Sequence, residues 1–472
     1  MTENRIKNVH FIGIGGVGMS GIARVAKEQG MEVSGSDLRE SRYTQQLREA
    51  GVRVYIGQKA SNLDSENPDV VVVSTAILEN NPELKEAKRR EIPIWHRAKM
   101  LAELGRGHRT LAVAGTHGKT TTSSMLASVI DGMGFDPTFL IGGIVRAYNS
   151  NAHCGKGDYY VVEADESDKS FTYLDPESVL VTNIEADHLD HYEDLNEIYK
   201  LFGDFMSSVH DEGCCVVCGE DEALVEVARK TGRKVLTYGF SSECDTTISD
   251  YAVSGVSTSF TVALPNGKVL NCHLKQNPGR HNALNAAGVL TLLMTQGFDV
   301  ERAAEVLGDF SGVRRRFDLV GEVNGITILD DYAHHPTEIA ATISAAKSLD
   351  FKRVCVVFQP HRYSRVKLFT EVLKDEFASA FDQADFVVFM NVYSAGEAPI
   401  PGITGATFMQ PVLDHVGDTK KITYIDRRLK LIPYLVENLE PGDLIITMGA
   451  GDVTGVGPEL LAALQDKEKS KH

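Results

Sequence analysis

The stretch VHFIGIGGVGMSG, residues 9–21, joins an apolar segment to a glycine-rich turn and the start of a helix-like segment. Gly13, Gly15 and Gly18 have the spacing G-x-G-x-x-G, which lets backbone N–H groups approach a diphosphate at a helix N-terminus. Asp37 ends the next apolar segment, and dinucleotide-binding folds place an acid for the ribose about 20 residues on. The stretch predicts a parallel α/β domain that binds a nucleotide, and NAD is one candidate ligand.

Apolar segments and helix-like segments alternate along the rest of the chain. Segments that are apolar throughout, such as DVVVVSTA and SVLV, are typical of parallel strands covered by helices on both faces. The glycine- and charge-rich break GRGHR at 105–109 and a renewed α/β pattern near Val313 indicate domain ends. We therefore predict three α/β domains, a Rossmann-like domain at 1–107, a central domain at 108–312 and a second Rossmann-like domain at 313–472.

The composition excludes several functional classes. A length of 472 residues is typical of about three domains. The net charge of −17, without a basic block, argues against nucleic acid and anionic membranes as partners. No apolar run approaches the roughly 18 residues of a membrane span, and the N-terminus has no signal-peptide core. With seven cysteines and no zinc-site spacing around CCVVC at 214–218, we expect a cytoplasmic protein with buried thiols.

A second glycine-rich turn, GTHGKT at 115–120, follows the apolar run TLAVA. Lys119 opens the next helix, where it would reach the β- and γ-phosphates of a nucleotide, and Thr120 would bind Mg²⁺. The sequence is not a strict Walker A motif, because Val113 stands where that motif has glycine. A structural turn with a solvent-facing lysine is the alternative. The predicted ATP-binding residues of this turn are Gly115, Thr116, His117, Gly118, Lys119, Thr120 and Thr121.

Acidic and histidine side chains follow two of the predicted central strands. The stretch VVEADESD contains Glu163, Asp165, Glu166 and Asp168. The stretch NIEADHLDH contains Glu185, Asp187, His188, Asp190 and His191. Taken singly, such residues are more often helix caps or solvated charges. Because parallel strands end at one edge of a sheet, carboxylates beside a phosphate loop suit divalent cations that bridge phosphate oxygens.

Basic and histidine residues are frequent in the third domain. They occur in RRRFD at 314–318, DDYAHHP at 330–336 and QPHRYSR at 359–365. A group of arginines after a buried strand could bind a carboxylate or a phosphate in a bidentate manner. A surface basic patch would explain these residues equally well.

Together these motifs resemble those of the Mur ligases. The segments that carry the resemblance, in the family's order and spacing, are GTHGKTTTSSML, EADESDKSF, NIEADHLDHY, GRHNALNA, RRRFD, DDYAHHPTEI and QPHRYSR. The resemblance covers essentially the whole chain, and it is strongest to the branch that joins L-alanine to UDP-N-acetylmuramate in peptidoglycan precursor synthesis. It implies an ATP-dependent, amide-forming ligase that works through an acyl phosphate. The implied substrates are UDP-N-acetylmuramate, ATP and L-alanine, with Mg²⁺ as the cofactor.

The resemblance also implies a role for each motif. The first glycine turn would bind the UDP part of the sugar nucleotide instead of NAD, through Gly15, Gly16, Val17, Gly18, Asp37, Ser74, Thr75 and Ala76. The catalytic residues would be Lys119, Glu163 and His188, and the metal ligands Thr120, Glu163 and His188. The nucleotide would also be held by His281, Asn282, Arg316 and Asp331. The amino-acid end would be formed by Tyr332, His335, His361, Arg362 and Arg365. Several relatives use a carboxylated lysine, for which Lys200 is a weak candidate.

Three alternatives remain open at the level of sequence. A non-catalytic sugar-nucleotide sensor would bind its ligand without turnover, although the intact phosphate loop argues against it. An NAD-linked oxidoreductase would leave that second loop unexplained. A related branch of the family attaches a preformed tripeptide to the same sugar nucleotide, so the choice of a free amino acid is a separate prediction.

Overall fold

The structure is a computed structural model that describes residues 6–166, 170–185, 192, 194–417 and 421–469. The chain forms two compact units. The first comprises Met1–Ser249, Thr261–Cys272 and Leu284–Phe310, and the second comprises Asp250–Phe260, His273–Ala283 and Ser311–His472. Three successive sheets, each with helices, confirm the predicted α/β fold.

The first sheet has five parallel strands in the order β3-β2-β1-β4-β5. The strands are β1 (Asn8–Ile12), β2 (Glu32–Asp37), β3 (Arg53–Ile56), β4 (Val70–Val73) and β5 (Ile94–His96), and the helices are α1 (Val17–Glu28), α2 (Arg42–Glu49), α3 (Pro82–Arg89) and α4 (Arg97–Leu104). The strand order reverses between β1 and β4, and open α/β sheets bind ligands at such a point. The glycine turn after β1 therefore lies where a nucleotide is expected.

The second sheet has ten strands in the order β15-β14-β13-β12-β11-β10-β6-β9-β7-β8. The strands are β6 (Arg109–Ala114), β7 (Thr138–Val145), β8 (Ser150–His153), β9 (Tyr159–Glu163), β10 (Ser178–Val181), β11 (Cys215–Cys218), β12 (Val235–Gly239), β13 (Thr246–Ser254), β14 (Ser257–Ala263) and β15 (Val269–Leu274). The helices are α5 (Lys119–Gly132), α6 (Leu195–Ser207), α7 (Glu222–Lys230), α8 (Arg280–Thr295) and α9 (Val300–Leu307). Strands β9 and β10 flank β6 in parallel, so their carboxyl ends meet beside the phosphate loop.

The third sheet has six strands in the order β16-β17-β21-β18-β19-β20, of which only β16 is antiparallel to its neighbour. The strands are β16 (Asp318–Val323), β17 (Ile326–Asp331), β18 (Arg353–Phe358), β19 (Phe386–Met390), β20 (Lys421–Ile425) and β21 (Asp443–Met448). The helices are α10 (Pro336–Lys347), α11 (Lys374–Ser379), α12 (Gly405–Val416), α13 (Arg428–Asn438) and α14 (Val456–Lys469). Buried apolar residues on both faces of the sheet explain the continuous apolar runs seen in the sequence.

Within the first unit, helix α1 packs directly against the edge of the second sheet. A Cβ atom on Gly21 would lie 3.2 to 3.3 Å from Asn151, Ala152 and Leu140, so this close approach leaves little room for a side chain. Asn151 Nδ2 donates a hydrogen bond to Val17 O at 3.1 Å. The glycine turn of the first sheet is thereby tied to strands β7 and β8 of the second.

All seven cysteines are free. Cys214, Cys215 and Cys218 are buried around strand β11, as predicted, and burial raises the pKa of Cys215 and Cys218 to about 12. Burial also raises the pKa of the two less buried thiols, Cys154 and Cys244. Among the described residues, we find no helix with the length and apolar content that crossing a membrane requires.

Candidate active site

The first glycine turn leaves a helix N-terminus without a side-chain cap. The N–H groups of Gly13 and Ile14 both donate to Ser36 O, at 2.8 and 2.9 Å, which fixes the turn against strand β2. Gly16 is the N-cap of α1 and has no side chain that could accept a hydrogen bond from the first helical N–H groups. Gly15, Gly16, Val17 and Gly18 thus form a suitable site for a diphosphate.

Asp37 braces this turn. Its Oδ2 accepts a hydrogen bond from Gly15 N at 2.9 Å, and its Oδ1 accepts one from Arg39 N at 3.3 Å. Ser74, Thr75 and Ala76 follow β4, and Ile77 lies against Gly13, whose added Cβ would be 3.2 Å from Ile77 Cδ1. The structure therefore brings all eight predicted UDP-binding residues to one edge of the first sheet, where their binding role stays a prediction.

The phosphate loop depends on glycine at two positions. Gly115 and Gly118 have φ values of +131° and +83°, which L side chains rarely adopt. A Cβ on Gly115 would overlap Thr182 Oγ1, and a Cβ on Gly118 would be 3.1 Å from Asn285 Oδ1. The loop is therefore closely packed against the end of β10 and against helix α8.

Polar residues after strand β10 hold the loop by direct hydrogen bonds. Asn183 accepts from Thr116 N through its backbone oxygen at 3.0 Å and from His117 N through Oδ1 at 2.8 Å. Thr182 Oγ1 donates to His117 O at 2.5 Å. The sequence analysis missed Thr182 and Asn183, although the signal was present, since TN directly follows the buried strand SVLV.

Lys119 pairs with a buried carboxylate in this structure. Its Nζ lies 2.9 Å from both carboxylate oxygens of Glu166, and it also donates to Gly115 O at 2.5 Å and Thr116 O at 3.1 Å. The Glu166 side chain is 3% exposed and that of Lys119 is 13% exposed. Burial raises the pKa of Glu166 to about 7, although the positive charge of Lys119 opposes the shift. The Tyr192 hydroxyl donates a hydrogen bond to the backbone oxygen of Glu166. The pairing of Lys119 with Glu166 was not predicted.

Glu163 and Thr120 lie together at the start of α5. Thr120 Oγ1 donates to Glu163 Oε1 at 3.0 Å, and Gly142 N donates to Glu163 Oε2 at 2.7 Å. Glu163 is half-buried, and burial raises the pKa of its carboxyl group. Thr121 is half-buried on the same helix. Two oxygen donors beside a phosphate loop form a donor set that suits Mg²⁺.

Part of the predicted metal site lies outside the described residues. These residues are Asp168, Asp187, His188, Asp190 and His191. Glu185 is described, and its N–H donates to Thr116 Oγ1 at 2.8 Å. Lys200 is exposed on α6. The roles of His188 and Lys200 stay predictions.

In the second unit, Asp331 organises the turn that contains Arg316. Its Oδ2 accepts a hydrogen bond from Phe317 N at 2.7 Å and its Oδ1 accepts one from Ala333 N at 2.8 Å. Burial raises the pKa of Asp331, and Arg316 opposes that shift. The guanidinium of Arg316 lies 5.2 Å from the ring centroid of Tyr332. Arg316, Asp331 and Tyr332 are therefore neighbours, and the roles that the resemblance implies for them stay predictions.

His335 caps helix α10, and Glu338 reaches back to the cap. Glu338 Oε2 accepts a hydrogen bond from His335 N at 3.4 Å, and Glu338 Oε1 lies 3.4 Å from Arg316 Nη1.

Asn282, near the start of α8, is buried and donates through Nδ2 to Pro278 O at 3.0 Å. His281 beside it is exposed.

His361 lies in a strongly electropositive part of the second unit. Burial first, and then the nearby His334, Arg365, Arg362 and Arg315, together lower the pKa of His361 to about 3. The ring stacks on Tyr393 at a centroid distance of 5.7 Å. Because the imidazole is neutral at pH 7, the positive charge available for an anionic ligand comes from the arginines.

Comparisons with known proteins agree with this architecture. Three family models match in order: the catalytic domain of the Mur ligase family at residues 8–109, the Mur ligase middle domain at 113–293, and the glutamate ligase domain of Mur ligases at 315–451. The chain is 44% identical over 467 residues to the UDP-N-acetylmuramate–L-alanine ligase of Geobacter sp. (strain M21), a match that spans 99% of each chain. It is 44% identical over 474 residues to the ligase of the same name from Thermobifida fusca (strain YX), which spans 98% of this chain and 97% of that one.

A solved structure supports the same assignment. The UDP-N-acetylmuramate–alanine ligase of Thermotoga maritima matches 98% of this chain and 100% of its own, with a TM-score of 0.79 and 29% sequence identity. The family predicted from the motifs is thereby confirmed, with its three-domain α/β fold. This chain belongs to the Mur ligase family.

Proposed function

We propose that this enzyme joins L-alanine to the carboxylate of UDP-N-acetylmuramate at the expense of ATP, in peptidoglycan precursor synthesis. One observation carries the proposal. The first unit contains two glycine-rich turns that each lead into a helix, and one cleft is lined both by Gly18 beside the first turn and by Glu163 beside the second. A site of this form suits an enzyme that brings a nucleotide-linked acid to ATP. The curated relatives named above carry the same activity in their names.

In the first step, a carboxylate oxygen of the sugar nucleotide attacks the γ-phosphorus of ATP. The bond from this phosphorus to ADP breaks, so that an acyl phosphate forms and ADP leaves. Both reactants are anions, so fixed positive charge and backbone dipoles must provide most of the rate enhancement. Lys119 is the residue that would contact the phosphates, after exchange of its Glu166 partner. The loop N–H groups at the start of α5 provide the dipoles.

Mg²⁺ is the cofactor that the family implies, and the donor set fits it. Thr120 and Glu163 offer oxygen ligands within hydrogen-bonding distance of each other, and His188 is the further candidate outside the described residues. When bound, the ion would neutralise charge on the phosphate oxygens. Glu163 and Thr120 keep their orientation through Gly142 N and the first turn of α5.

In the second step, the amine of L-alanine attacks the acyl phosphate and phosphate leaves. We propose that Arg362 or Arg365 binds the amino acid's carboxylate, with His335, His361 and Tyr332 around it. Asn282, Arg316 and Asp331 would contact or position the nucleotide. A clamp for the carboxylate of a short amino acid cannot also serve a tripeptide, whose terminal carboxylate lies farther from its amine.

The test is phosphate release with UDP-N-acetylmuramate, ATP and Mg²⁺ in the presence of L-alanine, glycine, L-serine or L-Ala-γ-D-Glu-diaminopimelate. L-Alanine should be the best substrate, and glycine should be about 10- to 200-fold worse, because one methyl group in an apolar pocket has an effect of that size. Faster turnover with the tripeptide would refute the assignment. Reduction of NAD, or binding of the sugar nucleotide without turnover, would favour the other two classes.

We also propose that the enzyme works in the cytoplasm, where the ATP on which the reaction depends is available. The seven free cysteines are in keeping with a reducing compartment. We propose domain ends at 107/108 and 312/313. In support, the first break falls between α4, which ends at Leu104, and β6, which begins at Arg109, and the second falls between α9 and β16.

A further inference from the structure

The cleft of the first unit contains a cationic side chain to which none of the motifs assigns a role. Arg97 is the first residue of α4 and follows directly on strand β5. Among the described residues that line the cleft, Arg97 is the only one with a positively charged side chain. Its side chain is 23% exposed, so the guanidinium is accessible from the cleft but largely removed from bulk water.

The guanidinium of Arg97 lies between the start of helix α1 and the acidic segment that follows strand β9. On one side, Nη1 lies 3.8 Å from the position that a Cβ on Gly18 would occupy, which places it beside helix α1. On the other side, Nη2 lies 3.5 Å from Asp165 Oδ2, in the acidic segment that follows β9. Asp165 and Glu163 both line the same cleft. Arg97 therefore lies in the same cleft as Gly18 of the first turn and as Glu163, which accepts a hydrogen bond from Thr120 of the second turn.

The first chemical step creates an electrostatic problem at this position. A substrate carboxylate has to approach the γ-phosphate of ATP while Glu163 and Asp165 stand beside it, and like charges in a partly desolvated cleft repel strongly. A cation in contact with the incoming carboxylate offsets that repulsion. Arginine suits the task, because its planar guanidinium binds a carboxylate through two parallel hydrogen bonds and remains charged when partly buried.

We propose that Arg97 binds the lactyl carboxylate of the sugar nucleotide and directs it along the cleft toward the phosphate loop. This inference rests on the proposed function. Asp165 Oδ2 lies 3.5 Å from the guanidinium, and the substrate carboxylate replaces it as a partner of Arg97 on binding. Asp165 itself shows that a carboxylate fits at this position.

The diphosphate of the same substrate has a different binding site. The uncapped N–H groups at the start of α1 provide the fixed dipoles that such a group needs. Arg97 lies beside Gly18, the second residue of that helix, and extends from there toward Asp165. The geometry thus assigns the diphosphate to the glycine turn and the carboxylate to Arg97.

The experiment compares two ligands that differ in the carboxylate alone. UDP-N-acetylmuramate carries the lactyl group, whereas UDP-N-acetylglucosamine has the same nucleotide and sugar without it. Dissociation constants are measured by calorimetry for the wild type, Arg97→Gln and Arg97→Lys. The matched control is Arg24→Gln, which removes a positive charge from the exposed face of α1, where Arg24 pairs with Glu28.

Arg97→Gln should weaken UDP-N-acetylmuramate binding about 10- to 100-fold, the size of one lost charge-assisted contact, and leave UDP-N-acetylglucosamine binding within about twofold. The affinity of Arg97→Lys for UDP-N-acetylmuramate should lie between those of the wild type and Arg97→Gln, because lysine keeps the charge and loses the bidentate geometry. Arg24→Gln should bind both ligands like the wild type. Asp165→Asn should bind UDP-N-acetylmuramate more tightly in the absence of ATP, because the competing carboxylate is gone.

Equal losses for both ligands in Arg97→Gln would assign Arg97 to the diphosphate and overturn the inference, as would unchanged affinity for both. If Asp165→Asn binds UDP-N-acetylmuramate no more tightly than the wild type, the substrate carboxylate does not replace Asp165 as a partner of Arg97. Binding of UDP-N-acetylglucosamine by each variant shows that the first unit is folded. Failure of the proposed function has a separate signature, the absence of L-alanine-dependent phosphate release by the wild type.

Discussion

The pair between Lys119 and Glu166 leads to a prediction about nucleotide affinity. A phosphate that binds in the loop has to replace Glu166 as the partner of Lys119, whose Nζ lies 2.9 Å from both carboxylate oxygens. Glu166→Gln removes the negative charge and keeps the shape of the side chain. We therefore expect the variant to bind ADP more tightly than the wild type, contrary to the usual effect of a mutation in an active site.

The size of the effect follows from the pair itself. Hydrogen bonds to charged groups contribute about 1.5–3 kcal/mol. Without a ligand, Glu166→Gln should lower the free energy of unfolding by about this amount. The variant should remain folded, because the nearly buried Lys119 still donates hydrogen bonds to the carbonyl oxygens of Gly115 and Thr116. Since about 1.4 kcal/mol is tenfold in an equilibrium constant, ADP should bind about 10- to 100-fold more tightly.

The assay is calorimetric titration with ADP in the absence of divalent cations, so that metal binding does not enter. Glu177→Gln is the matched control, because Glu177 pairs at 2.7 Å with Arg109, the first residue of β6, whereas the loop follows the other end of that strand. Burial raises the pKa of Glu166 to about 7, so its competing charge is mostly absent at pH 6 and present at pH 8. The increase in ADP affinity of Glu166→Gln over the wild type should therefore be larger at pH 8 than at pH 6. Equal or weaker ADP binding by Glu166→Gln at pH 8 would refute the reasoning.

Four further predictions address other residues. Lys119→Ala should abolish ADP formation and leave UDP-N-acetylmuramate binding intact in calorimetry; a matching loss of sugar-nucleotide affinity would contradict two separate phosphate sites. Glu163→Gln should slow phosphate release by about 10²-fold or more, the scale of one lost transition-state contact, and a wild-type rate would place the metal elsewhere. Asp37→Ala should weaken sugar-nucleotide binding about tenfold, because Gly15 N loses its acceptor, with ADP binding unchanged. The pKa of His361 is lowered to about 3 in the folded protein from an ordinary value of about 6.5, so the free energy of unfolding should decrease as pH falls through this range; His361→Gln should make that decrease smaller in chemical denaturation, and an unchanged pH dependence would count against a buried neutral ring.

Features that depend on local sequence were predictable. Apolar runs such as SVLV and TLAVA became buried parallel strands, because strands covered on both faces need apolar side chains at every position. Gly115 and Gly118 were recognised as loop residues, and their positive φ values explain why no other residue is expected there. Helix α5 begins at Lys119, as the loop pattern indicated.

Features that depend on packing were not predictable from one sequence. Glu166 contacts Lys119 because β9 pairs with β6 in the sheet. The sequences of the two segments do not determine which strands become neighbours. Arg97 and Asn151 reach the cleft because α1 packs on the edge of the second sheet, a contact that no motif encodes. Thr182 and Asn183 were an intermediate case, since their polar character after a buried strand was visible while their partners were not.

The free cysteines have a practical consequence for following the enzyme at work. A thiol reacts with maleimides through its thiolate, and every cysteine here is at least half-buried with a raised pKa. New cysteines in place of Val269 in the first unit and Leu429 in the second, whose side chains are 65% and 91% exposed, would accept fluorophores far faster than the native thiols. Single-molecule energy transfer between those two labels would then report how the units move during each catalytic cycle, with all seven native cysteines left in place.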